Sequence, residues 1–434
     1  MPRAHAAVVL VLCTLAWLVP AGARAAAPPA VPALLGGVNI DGLSFSSTTG
    51  QADAEIAAAR QMHVKIVRAD IPWSVLEPNG PGSVDPRALA FTDRLVGDAA
   101  AAGIRVVATV ASSPCWASAA PPALARKCSR SREGDANSWP PAVPADYAAF
   151  VAYLAGRYGG KLAAIEIWNE PDQSNEAYFA GPHKAERYAA MLRSAYPAIK
   201  QASPGLTVVA GSLVGSNGVF LRDLYRAGIK GFYDGLSVHY YNLTLASLRS
   251  IHEVQLANGD STRLWLDEFG WTSCWPRHRI EEEQACVTAQ IQAANLTTTF
   301  RAMAHTPYIA AALVYKLRDS PSEEFGMLST HNGHKPAFLA LAGVMASLGA
   351  DVPRVRLTLR HAGRRVIASG SGPVGDFMGI EAFQGSVLRW KAVFILDRFN
   401  HFSIALPPVL GTRGLRVRVF QYSTGLGRGA QQSI

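Results

Sequence analysis

Two glutamates stand at the ends of two apolar stretches, and residues that break regular structure follow each of them. Glu170 comes after Leu162–Trp168 and is followed by Pro171, and Glu268 closes the stretch Arg263–Asp267. Two carboxyl groups held face to face can work as a proton donor and a nucleophile, or as an acid and a base for water. Cleavage of a glycosidic bond requires this chemistry, so the pair is the first candidate for a reactive site.

Eight apolar stretches of strand length alternate with stretches of helical spacing between about residues 34 and 350. The strand candidates are Leu34–Ile40, Val64–Ala69, Ile104–Ala111, Leu162–Trp168, Leu206–Ala210, Gly235–His239, Arg263–Glu268 and Ile309–Lys316. The helix candidates are Ala52–Met62, Ala88–Ala102, Ala145–Tyr158, Ala185–Ala202, Gly218–Ala227, Leu245–Ala257, Glu282–Ala304 and Pro336–Leu348. Such alternation predicts a parallel sheet covered by helices.

Eight strand–helix repeats predict an α/β fold, a closed (β/α)8 TIM barrel over residues 33–350. An open, doubly wound sheet is the alternative, and it would usually carry a glycine-rich phosphate turn after its first strand. Gly36 and Gly37 precede the end of that strand and lack the pattern. A barrel would place the reactive residues at the C-terminal ends of its strands.

After Asp351 polar and apolar residues alternate, which is typical of strands with one side in solvent. The candidates are Arg354–Arg360, Arg365–Ser369, Leu388–Leu396, Phe402–Leu406 and Leu415–Phe420. We therefore predict a small all-β, β-sandwich-like domain over residues 352–434. We interpret its arginines as a solvated face, and a glycan-binding role is the less favoured alternative.

The first 25 residues have the features of a secretory signal peptide. Arg3 precedes the apolar stretch Ala6–Leu18, and Ala23-Arg24-Ala25 matches a small-x-small cleavage site. The apolar stretch is shorter than the roughly 20 residues that a membrane helix needs, so an uncleaved anchor is the less favoured interpretation. We predict a secreted, extracellular protein without a membrane span in the mature chain.

Four cysteines follow the predicted signal peptide: Cys115, Cys128, Cys274 and Cys286. An even number in an exported chain predicts two disulfides, with three possible pairings. The short spacings along the chain favour Cys115–Cys128 and Cys274–Cys286. A four-cysteine zinc site is the alternative, but the sequence contains no Cys-x-x-Cys pair.

The composition indicates which classes of molecule are less favoured as binding partners of this chain. Hydrophobic residues make up 49% of the chain and charged residues 17%, which indicates a globular protein. The net charge of +9 favours solubility, but no basic stretch with interleaved aromatic residues indicates nucleic acid as a partner. The sequence has no evident metal-ligand cluster or phosphate loop, so we expect no metal and no cofactor. It does not indicate an oligomeric state.

The predicted strand ends bring further polar and aromatic side chains to the edge that carries Glu170 and Glu268. The candidate substrate-binding residues there are Arg68, Trp73, Trp116, Asn169, His239, Tyr241, Trp271 and Tyr315. Aromatic rings among polar groups are typical of sugar-binding clefts, since a pyranose has an apolar face and polar hydroxyls. Asp267 neighbours Glu268, so strand alternation predicts that Asp267 points the other way and has a structural role.

This constellation resembles the clan A retaining glycoside hydrolases, including the cellulase-like family 5 and the xylosidase-like family 39. The resemblance covers roughly residues 34–348. Its sharpest marks are Trp168-Asn169-Glu170-Pro171, Glu268-Phe269-Gly270 and the pair His239-x-Tyr241. It implies that Glu170 is the acid/base and that Glu268 is the nucleophile of a double displacement.

The resemblance also implies roles for the residues around the two glutamates. Asn169 would bind the sugar 2-hydroxyl, Arg68 and Tyr241 would hold Glu268, and His239 would line the same pocket. Tyr315 stands where the relatives usually carry a tryptophan. The predicted function is a secreted retaining glycoside hydrolase that cleaves O-glycosidic, β-configured bonds of a polysaccharide or oligosaccharide. A non-catalytic glycan-binding barrel and a transglycosylase with the same covalent intermediate remain the alternatives.

Overall fold

The computed structural model describes residues 33–44, 46–126, 128, 136–215, 217–241, 245, 248–274, 280–281, 284–348, 355–363, 365–371, 377–395, 401–410, 414–421 and 430–433. The predicted signal peptide, residues 1–25, lies outside these ranges. Within them, no helix is long and apolar enough to cross a membrane.

Eight parallel strands close into a barrel. They are β1 (Leu35–Asn39), β2 (Ile66–Asp70), β3 (Arg105–Val110), β4 (Leu162–Ile167), β5 (Thr207–Leu213), β6 (Gly235–His239), β7 (Arg263–Phe269) and β8 (Ile309–Val314). Each strand pairs with its neighbours in the chain, and β1 pairs with β8 to close the ring. The predicted (β/α)8 barrel is thereby confirmed, because an open sheet would leave its two outer strands unpaired.

Helices cover the barrel: α1 (Thr49–Gln61), α2 (Trp73–Leu76), α3 (Pro86–Ala101), α4 (Pro122–Ala125), α5 (Pro144–Tyr158), α6 (Lys184–Ala202), α7 (Val219–Arg226), α8 (Leu248–Ala257), α9 (Ala289–Ala304) and α10 (Pro336–Ser347). Asp85 caps α3 by accepting from two backbone N–H groups. Helix α9 begins after its cap Thr288 and not at Glu282, because Ile280–Glu281 and Gln284–Ala285 pair as a small antiparallel hairpin.

The barrel interior has an apolar floor beneath a polar layer. The floor is a separate buried cluster that includes Ile66, Val107, Ala164 and Trp265. Side chains in a strand alternate between its two faces, so residues two positions further on point to the same side. Two positions after these four apolar residues, the same strands carry Arg68, Thr109, Glu166 and Asp267. The barrel thus holds a layer of polar groups directly below its C-terminal edge.

Strand β7 contains one more residue than its neighbour where it reaches this edge. Ser237 of β6 pairs with Trp265, but His239, two positions later, pairs with Glu268, three positions later. An extra residue in one strand is a β-bulge, and it changes the direction of the side chains beyond it. Asp267 and Glu268 therefore both contact groups inside the barrel, and the prediction that Asp267 points away is wrong.

Among the residues that the structure describes after the barrel, seven strands form two antiparallel sheets. One sheet holds β9 (Arg356–Ala362), β10 (Arg365–Ser371) and β13 (His401–Ala405); the other holds β11 (Phe377–Gln384), β12 (Val387–Ile395), β14 (Leu415–Gln421) and β15 (Ala430–Ser433). Both sheets contribute to one apolar cluster, which includes Leu357, Val366, Met378 and Val417. The predicted sandwich-like fold is confirmed.

Strands β11 and β15 are absent from the sequence prediction. Gly379 interrupts the apolar pattern of β11, and glycine usually weakens a strand. In the structure the ring of Phe420, on the paired strand β14, lies over Gly379, where a Cβ atom would collide with it. The neighbouring ring fills the space that a side chain of β11 would occupy, and the sequence of β11 alone does not reveal this.

Candidate active site

Arg68 is the centre of the polar layer, and its guanidinium group reaches three strands. Nη1 donates to Oε1 of Glu268 at 2.8 Å, and Nε donates to Oε2 of Glu166 at 2.7 Å. Nη1 also donates to Oδ1 of Asn39 at 3.1 Å, and Nη2 donates to Oδ1 of Asn169 at 2.7 Å. The fixed fork of an arginine suits such a hub, because its donors diverge in one plane.

Glu268 is held at both carboxylate oxygens. Arg68 binds Oε1, and the hydroxyl of Tyr241 donates to Oε2 at 2.8 Å. Burial raises the pKa of Glu268 above its ordinary value, while the positive charges of His239 and Arg68 oppose that rise. The predicted contacts of Arg68 and Tyr241 with Glu268 are present. The positive charge of Arg68 lowers the pKa of Glu268 by less than burial raises it.

Glu170 has a different environment, at the end of a strained stretch of backbone. Trp168 and Glu170 adopt φ angles of 69° and 46°, in the left-handed region that residues other than glycine rarely enter. Oε1 of Glu170 lies 2.8 Å from Nδ1 of His239, and Oε2 accepts a hydrogen bond from Nε2 of Gln173 at 3.4 Å. No arginine contacts this carboxyl among the described residues.

His239 bridges the two glutamates and the layer beneath them. Its Nδ1 lies 3.5 Å from Oε2 of Glu268, and its Nε2 lies 3.4 Å from Oδ2 of Asp267. Burial alone would lower the pKa of His239, but the carboxylates of Glu268 and Asp267 raise it well above its ordinary value. The imidazole is thus a cation at neutral pH, and it supplies positive charge to the site together with Arg68.

Four polar residues of this layer are missing from the sequence prediction: Asn39, Thr109, Glu166 and Ser212. Thr109 donates to Glu166 at 2.8 Å, and Ser212 donates to Asp267 at 3.0 Å. Asn39 donates to the backbone oxygen of Asp267 at 2.7 Å. Thr109 and Glu166 stand two positions after the floor residues Val107 and Ala164, and this spacing is the signal that could have identified them. Ser212 stands three positions after Val209, within a register shift of β5, so the spacing does not reveal it.

Trp73 is not a substrate contact, contrary to the prediction. Its side chain is fully buried, because the short helix α2 begins directly after β2 and packs the ring against Tyr147 and Phe150 of α5. The ring packs edge-on against Trp116 at 5.4 Å, and Nε1 donates to Glu77 at 2.6 Å. Trp116 is partly exposed and donates to the backbone oxygen of Glu77 at 3.0 Å. Its contact with substrate stays a prediction.

Aromatic rings form one wall beside Glu268. Tyr315 packs edge-on against Tyr241, with ring centroids 6.2 Å apart, and against Phe325 at 5.6 Å. The hydroxyl of Tyr315 donates to Oε2 of Glu323 at 3.1 Å. The side chain of Trp271 is 7% exposed, so it offers little surface to a ligand. The substrate contacts of Tyr315 and Trp271, like that of Asn169, stay predictions.

Two disulfides lie in loops at the edge of the barrel that carries the glutamates. Cys115 is bonded to Cys128 after β3, and Cys274 is bonded to Cys286 after β7. The Cα atoms are 5.7 Å and 5.1 Å apart, within the usual range for a disulfide. This is the pairing that the spacing predicts, and it leaves no cysteine among these four for a zinc site.

The sequence matches no protein-family model and no curated protein. Solved structures resemble it in three dimensions. A family 39 glycoside hydrolase from Bacteroides cellulosilyticus WH2 aligns with a TM-score of 0.56 and 19% identity, over 87% of this chain and 80% of that one. This chain shares the barrel fold of such glycoside hydrolases.

Two further structures support the shared fold. A GH39 β-xylosidase from Caulobacter crescentus has a TM-score of 0.55 and 16% identity, over 88% of this chain and 95% of that one. GH5_18 from Streptomyces cattleya, in complex with GlcNAc, has a TM-score of 0.53 and 18% identity, over 75% and 82% respectively. Identities this low establish the fold, and the evidence for a function lies in the site itself.

Proposed function

We propose that this chain is an exported retaining glycoside hydrolase that cleaves β-configured O-glycosidic bonds of an oligosaccharide or polysaccharide. The carboxyls of Glu170, directly after β4, and of Glu268, on β7, carry this proposal. One oxygen of Glu170 and one of Glu268 lie within 4.8 Å of each other. Nδ1 of His239 lies 2.8 Å from Glu170 and 3.5 Å from Glu268. Retaining enzymes hold their carboxyl groups about 5–5.5 Å apart, whereas inverting enzymes need about 6.5–9.5 Å to admit a water.

The contacts of the two glutamates support different roles. Glu268 has a donor on each oxygen, Arg68 and Tyr241, and both contacts favour its ionised form. An ionised, firmly oriented carboxylate is what a nucleophile requires. Glu170 contacts the side chains of His239 and Gln173, and no arginine contacts it within the described part of the chain. We assign it the role of proton donor and acceptor.

In the first step of the proposed reaction, the carboxylate of Glu268 attacks the anomeric carbon. The bond from that carbon to the leaving oxygen breaks, and the carboxylic acid of Glu170 gives its proton to this oxygen. The product is a glycosyl ester of Glu268 and a carboxylate at Glu170. Arg68 and Tyr241 hold Glu268 in position throughout this step.

In the second step, Glu170 takes a proton from a water molecule while the water oxygen attacks the anomeric carbon. The ester bond to Glu268 breaks, its electron pair returns to the carboxylate, and Glu170 is again protonated. Two displacements at one carbon restore the original anomeric configuration. His239 stays between the two carboxyls as a cation, where it offsets the negative charge that passes from Glu268 to Glu170 in the first step and back to Glu268 in the second.

Export is part of the proposal. Disulfides form and persist in oxidising compartments, and this chain has two of them. The signal-like composition of residues 1–25 agrees with such a destination.

The structural neighbours suggest the first substrates to test. They include a β-xylosidase from Caulobacter crescentus and a glucosidase from Croceicoccus marinus, the latter with a TM-score of 0.52 and 15% identity. Aryl β-xylosides and aryl β-glucosides are therefore the first choice, followed by polysaccharides built from the same sugars.

The test is hydrolysis by the purified mature chain, with the product anomer followed by NMR. We expect the retained anomer to form first and E268Q to lower kcat/KM by roughly 1,000-fold or more. E186Q is the matched control, because Glu186 is an exposed glutamate in the first turn of α6. An inverted first product, or full activity in E268Q, would contradict the proposal.

A further inference from the structure

Two carboxyls lie beneath the reacting pair and take no part in the proposed steps. Glu166 on β4 and Asp267 on β7 are both fully buried. Both contact Nε of Arg68, with Oε2 of Glu166 at 2.7 Å and Oδ2 of Asp267 at 3.3 Å. Two acids thus share one nitrogen of the guanidinium that also holds Glu268.

Each of these two acids has hydrogen-bond donors at only one of its carboxyl oxygens. Oε2 of Glu166 accepts from Arg68 and Thr109, and Oδ2 of Asp267 accepts from Ser212. The second oxygen of each acid, Oε1 and Oδ1, is buried without a hydrogen-bond partner among the described residues. Unsatisfied buried polar atoms are rare in native proteins. The side chains of Glu166 and Asp267 hydrogen-bond each other. Such a bond between two carboxyls needs one proton, because a protonated carboxyl donates where a carboxylate only accepts.

The charges of the site lead to the same conclusion. Within the described part of the site, Arg68 and His239 are the buried cations, and the buried acids Glu166, Asp267 and Glu268 contact them. Three ionised carboxyls would exceed the two cations by one charge, and buried charge without a partner is strongly unfavourable. One proton on the lower pair makes this buried group neutral.

We propose that Glu166 and Asp267 share one proton and act as a positioning pair for the reaction of Glu268 and Glu170. The pair holds Arg68 through its Nε, so that Nη1 points at Glu268. It also places Oδ2 of Asp267 3.4 Å from Nε2 of His239, whose Nδ1 faces Glu170. The shared proton is not transferred to the substrate. This inference rests on the proposed glycosidase function.

The titration of the two acids agrees with this arrangement. Burial raises the pKa of Glu166 to about 7, although Arg68 opposes the rise. Burial alone would also raise the pKa of Asp267, but His239 and Arg68 hold it below its ordinary value. The proton therefore resides on Glu166. The other titratable groups around Glu166 are the phenols of Tyr147 and Tyr188, which stay neutral because burial raises their pKa values.

Two isosteric variants, E166Q and D267N, distinguish a pair that holds a proton and positions Arg68 from a pair that only supports the fold. Glutamine at position 166 imitates protonated glutamate: its oxygen can accept from Arg68 and Thr109, and its amide can donate to Asp267. Asparagine at position 267 removes the negative charge that Arg68 and His239 require. The two variants should therefore behave differently, although each replaces one carboxyl by an amide.

The proton itself can be observed without a substrate, by infrared spectroscopy of the folded chain. We expect the C=O band of a protonated carboxyl at acidic pH, its loss as the pH rises through about 7, and its absence in E166Q. Glu55 is a second buried carboxyl with a pKa raised to about 7 by burial. E55Q is therefore the matched control, and each variant should remove one band. Wild-type spectra without a band that E166Q removes would overturn the proposal.

Kinetics test the positioning role. We expect wild-type kcat/KM to contain an inflection near pH 7 that E166Q lacks, since only the wild type gains a charge at residue 166. D267N should lose about 100-fold in kcat/KM at every pH, with an unchanged circular dichroism spectrum. If folded D267N and E166Q lost activity equally, with unaltered pH profiles, the pair would be structural only. If no glycoside is cleaved, the proposed function fails, but the infrared result still decides whether the lower pair holds a proton.

Discussion

Nη1 of Arg68 lies 2.8 Å from Oε1 of Glu268, and both side chains are almost completely withdrawn from solvent. The second oxygen of Glu268 accepts from the hydroxyl of Tyr241 at the same distance. Burial raises the pKa of Glu268, so its charged form depends on these donors and on the positive charge of His239. The acid limb of the pH–activity profile should therefore lie above the ordinary pKa of a glutamate, about 4.5.

Removal of the Tyr241 hydroxyl should shift the acid limb of the pH–activity profile to still higher pH. In Y241F, Glu268 loses a charge-assisted hydrogen bond, so we expect the acid limb of kcat/KM to move up by roughly one pH unit. At its pH optimum, kcat should fall by about tenfold or more. Y315F is the matched control, because the hydroxyl of Tyr315 donates to Glu323 and not to Glu268. Equal shifts in the two variants would mean that the contact with Glu268 is not responsible.

The activity lost with the proton donor should depend on the leaving group of the substrate. The kcat/KM of E170A is expected to fall by about 100-fold or more on substrates with poor leaving groups. It should fall by much less on activated aryl glycosides, whose leaving oxygen can depart in the first step without a proton. Only a basic leaving oxygen needs protonation as the bond breaks. The measurement is kcat/KM for a series of aryl glycosides of one sugar. Equal losses across the series would remove Glu170 from this role.

The stability of the fold should depend on pH through Glu55. Burial raises the pKa of this glutamate to about 7 from 4.5, although Arg318 opposes the rise. Between these values the folded state keeps a proton that the unfolded chain has released, so the free energy of unfolding decreases as the pH rises. Glu166 acts in the same direction, because burial also raises its pKa to about 7.

E55Q should remove part of this dependence. We expect the difference in unfolding free energy between about pH 5 and about pH 8 to be smaller in E55Q than in the wild type, by up to about 3 kcal/mol. Chemical denaturation at the two pH values measures it. An unchanged difference in E55Q would show that Glu55 keeps its ordinary pKa in the folded chain.

Both disulfides should be present in the exported chain and should stabilise the rim of the cleft. Peptide mapping without reductant should recover Cys115 linked to Cys128 and Cys274 linked to Cys286. For loops of this size, replacement of one pair by serines is expected to lower the unfolding free energy by roughly 3 kcal/mol. Free thiols, or links between the two loops, would disprove the pairing.

The barrel, and the position of Glu170 and Glu268 at its strand ends, could be predicted from the sequence. Their strands are apolar runs with an abrupt end, and parallel strands present such ends on one edge. Arg68, His239 and Tyr241 follow from the same reasoning, because each stands at the end of a strand. The contacts of Arg68 and Tyr241 with Glu268 agree with the expectation from the family resemblance.

Other parts of the site depend on features that a single strand does not display. Asp267 and Glu268 both contact groups inside the barrel because β7 has an extra residue relative to β6, and a bulge is a property of two paired strands. Trp73 is buried because α2 turns it inward, although its position after β2 suggested the cleft. Glu166 stands inside an apolar run, where its own strand gives no reason for an acid. Its hydrogen-bond partners Arg68 and Thr109, on two other strands, explain why an acid is buried there.

Covalent trapping tests the central claim most directly. The mature chain is incubated with an activated 2-deoxy-2-fluoro glycoside of a sugar that it cleaves, and the modified peptide is identified by mass spectrometry. The proposed double displacement predicts one added fluoroglycosyl group, on Glu268, with loss of activity at the same rate. A label on another carboxyl, or inactivation without any covalent adduct, would contradict the assignment of Glu268 as the nucleophile.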